Sequence, residues 1–85
     1  MKYVTISVDN SISLDLLADE LAAGGADRLS LWANFSNKPS ACLVVAADRK
    51  AIQGIRSINK KGVLIAEYSS LQSAEDSAKM QLGFD

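Results

Sequence analysis

From Tyr3 to Val8 the chain alternates, with Val4, Ile6 and Val8 on one side and Tyr3, Thr5 and Ser7 on the other, which predicts a strand buried on one face. The period then lengthens. Leu14, Leu17, Ala18, Leu21 and Ala22 recur at helical spacing, Ser13 stands at the N-cap position, Asp15 suits the positive helix end, and Ile12 can staple onto Leu17. Gly24 and Gly25 end this helix by accepting positive φ. Alternation returns from Arg28 to Phe35, with Leu29, Leu31, Ala33 and Phe35 expected toward the helices and Arg28, Ser30, Trp32 and Asn34 facing away. Ser36-Asn37-Lys38-Pro39-Ser40 supplies a turn into the next strand.

Ala41 to Ala47 is apolar at every position, the pattern of a central strand covered on both faces. Asp48 is placed to cap a second helix whose Ala51, Ile52, Ile55 and Ile58 face inward and which closes at Lys60, Lys61 and Gly62. Val63 to Tyr68 is a short β-rich run. Beyond it, Leu71, Ala74, Ala78 and Leu82 form the thin apolar stripe of a C-terminal helix, on which Glu75 and Lys79 are spaced to pair at i,i+4.

The order strand, helix, strand, strand, helix, strand predicts an α+β domain over residues 1–85, with the ferredoxin-like βαββαβ sandwich as the architecture and one additional C-terminal helix. Two right-handed crossovers place the first two helices on one face and the first and third strands in the centre of the sheet. The opposite face then carries Tyr3, Thr5, Trp32 and Asn34, together with one set of third-strand residues. An apolar surface of that extent requires a cover. The C-terminal stripe can provide it by folding back. So can another protein, either a second copy or a different partner.

Composition narrows the chemistry. Nine Lys and Arg against ten Asp and Glu give a net charge of −1, whereas a protein living on phosphate contacts carries a basic excess, which argues against nucleic acid. RRM-type domains share the layout, and Tyr3 could stack on a base, but the third strand has no aromatic residue where the RNP1 signature needs one. The chain lacks His and has one Cys, removing the usual general base and any thiolate metal cluster. Cys42, inside an apolar strand, is expected to be a buried, inert thiol. Asp15, Asp19 and Glu20 share a helix surface without the wrapped loop oxygens of a calcium site. The glycines follow helices rather than precede them, so no phosphate loop is written. No catalytic residue, cofactor or metal is expected. A lone Cys and the lack of a long apolar run fit a cytoplasmic setting without membrane contact.

What remains is surface. Arg49, Gln53, Arg56 and Lys60 align along one side of the second helix as a positive stripe, which can dock an acidic surface, pair with the acidic first helix, or face solvent. With Tyr3, Trp32 and Asn34, the residues Arg49, Arg56 and Lys60 are the expected partner-binding set. The function expected is that of a non-enzymatic protein-protein interaction module, a homodimeric regulator or stoichiometric inhibitor of a larger partner, a profile shared by anti-defence inhibitors. A small-molecule-sensing domain similar in layout to ACT-type regulatory domains is the alternative, followed by a dimeric α+β barrel enzyme.

Overall fold

The computed structural model describes residues 1–9, 13–58 and 62–84. Its elements are β1 (Lys2–Val8), α1 (Leu14–Ala23), β2 (Asp27–Ala33), β3 (Ala41–Ala47), α2 (Arg49–Arg56), β4 (Val63–Tyr68) and α3 (Leu71–Gln81). The four strands form one antiparallel sheet in the order β2-β3-β1-β4, giving an α+β fold with three helices. Val4 lies opposite Val45 and Ile6 opposite Leu43. These residues join Leu17 and Leu21 of α1 and Ala51, Ile52 and Ile55 of α2 in the larger core. Face selection follows from strand periodicity, because cross-strand partners share a side.

The other face is closed by the chain itself. Ala74, Ala78 and Leu82 pack on Cys42 and Val44, flanked by Tyr3, Trp32 and Tyr68. The thinness of the C-terminal stripe is what lets it fit: alanine brings the helix backbone close to the sheet, and the three aromatic rings fill the margins. Ser70 caps α3 by accepting from the Ser73 amide at 3.2 Å, and Asp48 caps α2 by accepting from the Ala51 amide at 2.8 Å.

Several local expectations change. Ser13 occupies the N-cap position of α1 but makes no side-chain cap hydrogen bond, and Ile12 lies outside the described residues. Gly24 stays in the right-handed region and Gly25 takes the positive φ of 95°. Gly62 takes φ 87°, a conformation that L side chains rarely adopt, which is why glycine stands there. Residues Leu29, Leu31 and Phe35 do not enter the core. A bulge between Arg28 and Ser30 interrupts the β2 register, and Leu31, although opposite Leu43, remains 42% exposed at the open edge of the sheet. Phe35 lies beyond the strand and is 78% exposed. Lys79 sets its ammonium 4.9 Å from the centroid of the Trp32 ring, and no ion pair with Glu75 forms.

Candidate functional site

Tyr3, Trp32 and Asn34, expected to meet a partner, are occupied within the chain. Trp32 lies directly opposite Cys42, which directs its indole to the α3 side. There it meets Lys79 and the Phe84 ring, whose centroid is 6.3 Å away. Tyr3 packs at the margin of the same cluster. The Asn34 side chain donates to the Leu82 carbonyl at 2.7 Å, while Asn37, which was not singled out from sequence, donates to the Gln81 carbonyl at 2.8 Å. Two amides from the β2-β3 connection thus satisfy carbonyls that the end of a helix leaves without intrahelical donors. The only sequence hint for Asn37 was its place in a turn.

A polar line runs through this interface. The Ser7 hydroxyl donates to Gln81 Oε1 and lies 3.4 Å from the Cys42 sulfur. Gln81 donates to Ser77 Oγ at 3.0 Å, and that oxygen is 2.5 Å from the Tyr68 hydroxyl. Burial pushes the Cys42 thiol above its ordinary range, against the opposing pull of its hydrogen bonds with Ser7 and the Ile6 backbone. This is the setting of an unreactive structural thiol. Among the described residues, three buried side-chain polar atoms have no hydrogen-bond partner: Thr5 Oγ1, Ser30 Oγ and Trp32 Nε1.

The α2 side is different. Arg49, Gln53 and Arg56 line one groove of about 490 Å³ together with Lys2, Ile52 and Glu67. Lys2 continues the even-numbered face of β1, and Glu67 pairs with Val4 across β4, so strand register brings both beneath the helix. Arg56 donates through Nε and a terminal nitrogen to one Glu67 carboxylate oxygen, with the Nε contact at 2.8 Å. It is the only salt bridge among the described residues. Of the roles open to the stripe, pairing of Arg49 and Arg56 with Asp15, Asp19 and Glu20 of α1 does not form. Lys2 and Arg49 have no carboxylate partner within that set. Lys60, the last residue of the expected stripe, lies outside the described residues.

A second, smaller depression of about 250 Å³ is lined by Leu14, Leu31, Ala33 and Phe35 beside the uncovered β2 edge. Among the described residues no group of three His, Cys, Asp or Glu side chains is arranged for a metal, and no helix is long and apolar enough to cross a membrane. No protein-family model matches the sequence, and neither curated proteins nor solved structures match the chain.

Proposed function

We propose that the chain is a non-enzymatic protein-protein interaction module of ferredoxin-like architecture, a small cytoplasmic regulator or stoichiometric inhibitor that binds a larger partner through the α2 side. The observation that carries this reading is the groove under Arg49, Gln53 and Arg56, where Lys2 and Arg49 stand without a carboxylate partner among the described residues beside the Arg56–Glu67 pair, while the aromatic face is taken by α3. Charged grooves of this kind steer encounter and select partners of opposite sign. Self-association belongs to the same reading, with the β2 edge and its exposed Leu31 and Phe35 as the contact. Affinity capture with the full chain, identification by mass spectrometry and reconstitution from purified components test the reading. A captured protein that co-elutes at fixed stoichiometry supports it, and retention of nothing beyond the tag control overturns it. Light scattering of the chain alone tests the dimer.

The volume of the groove favours one second reading, a small-molecule sensor, because ligand pockets commonly enclose about 300–1,000 Å³. Thermal-shift measurements against amino acids and nucleotides separate the two, since a ligand that binds only the folded state raises the melting temperature.

A further inference from the structure

The carboxylate of Glu67 already demonstrates how this groove holds an anion: it takes two donors of one guanidinium, in the charge-assisted geometry that Arg offers to carboxylates. Two further cations, Lys2 and Arg49, line the same groove without such a partner among the described residues. Resting on the interaction-module reading above, we infer that the groove receives an extended acidic segment of the partner protein, with Glu67 as an internal competitor for Arg56.

The dimensions favour a segment over a single small anion. Arg49 and Arg56 are seven positions apart on a helix, about 10 Å along its axis. Same-side residues of an extended peptide recur roughly every 7 Å, so carboxylates two to four positions apart span both arginines while Gln53 lies between them. The lining is also rich in charged and amide side chains, with Ile52 and Ala47 as its apolar floor, whereas small-molecule pockets are mostly apolar. A nucleic-acid strand fits less well, because phosphate binding at useful affinity relies on several contacts and a basic excess, and the chain has a net charge of −1. A lipid surface fits less well too, since the apolar residues of α2, Ala51, Ile52 and Ile55, are buried against the sheet.

The test uses the full chain and a fluorescent octaglutamate peptide, with octaglutamine and an eight-nucleotide DNA strand as comparison probes, read by anisotropy. Octaglutamate is expected to bind and to weaken at least tenfold between about 0.05 M and about 0.5 M salt. Arg49→Glu and Lys2→Glu, both at exposed positions, should each weaken binding about fivefold or more. Lys38→Glu makes the same change of charge in the β2-β3 connection and should leave affinity within about twofold. Glu67→Gln should tighten binding about twofold to fivefold by releasing Arg56. Equal binding of octaglutamine, equal loss in Lys38→Glu, or tighter binding of the DNA strand overturns the assignment, and an unchanged Glu67→Gln overturns the competitor role. Circular dichroism of each variant confirms that folding is retained. A reconstituted partner indifferent to Arg49→Glu would sink this inference and move the contact off the α2 side while leaving a protein-binding module standing, whereas failure to capture any partner overturns the module and, with it, the inference.

Discussion

Under α1 and α2 the sheet presents Val4, Ile6, Val8, Leu43 and Val45, all aliphatic and all sealed; under α3 the same two central strands present Thr5, Ser7, Cys42 and Val44 beside the rings of Tyr3 and Trp32. Both sides are covered, but by different physics. The first is a dry contact of branched side chains, in which every buried methylene contributes roughly 0.8 kcal/mol. The second mixes modest apolar area with directional hydrogen bonds, and all three partnerless buried side-chain polar atoms among the described residues lie on it. Stability is therefore concentrated on the α1/α2 side, while the α3 side is held by geometry and carries an uncompensated polar cost.

The largest effect should come from the aliphatic side. Leu43→Ala is expected to lower unfolding free energy by about 2–5 kcal/mol, because Leu43 is fully enclosed and core sites relax only partly around lost volume. Urea denaturation measures this, and a loss under about 1 kcal/mol would erase the proposed contrast between the faces. Next comes the double change Asn34→Ala with Asn37→Ala. Removing both bonds to the Gln81 and Leu82 carbonyls should cost about 1–3 kcal/mol and shift Trp32 emission toward that of a wetter indole. Unaltered emission would show that α3 stays seated without them.

Thr5→Val should have the opposite sign. Thr5 is buried with an unpaired hydroxyl, so replacing it by an apolar group of similar shape is expected to raise stability by about 1 kcal/mol. A destabilised variant would mean that the hydroxyl is satisfied in solution. The smallest effect concerns alkaline pH. Burial holds the Cys42 thiol protonated in the folded chain above the range where it ionises in the unfolded one, roughly pH 8.5. Its contribution is thus constant below that range and falls as pH rises through it. Comparing denaturation of the wild-type and Cys42→Ala chains from neutral to alkaline pH should show the steeper decline in the wild type, and parallel curves would remove Cys42 as the cause.

The alternation of Val4, Ile6 and Val8, the unbroken apolar run of β3 and the Asp48 cap were legible because each depends on neighbours within a few residues. Trp32 was correctly assigned to the side away from α1 and α2, yet what stands on it was not decidable from periodicity, which gives a residue its side and not its neighbour. Leu31 and Phe35 misled for a related reason: alternation marks a side as apolar without saying how deeply the sheet's edge is buried or where the strand ends. The stripe of Arg49, Gln53 and Arg56 was visible as a helical spacing. Its convergence with Lys2 and Glu67 required the register of three strands, and the absence of pairing with α1 is a matter of distance that no pattern encodes.

The line from Ser7 through Gln81 and Ser77 to Tyr68 has a consequence for how α3 sits. A helix whose contact surface is alanine is smooth, and smooth surfaces tolerate translation by a turn at little energetic difference. Directional donors and acceptors at fixed intervals index such a helix as teeth index a rack, so that one axial position satisfies all of them together. In this chain the axial position of the last helix is indexed by its serine and glutamine side chains together with the Asn34 and Asn37 amides, while the buried alanines bring it close to the sheet.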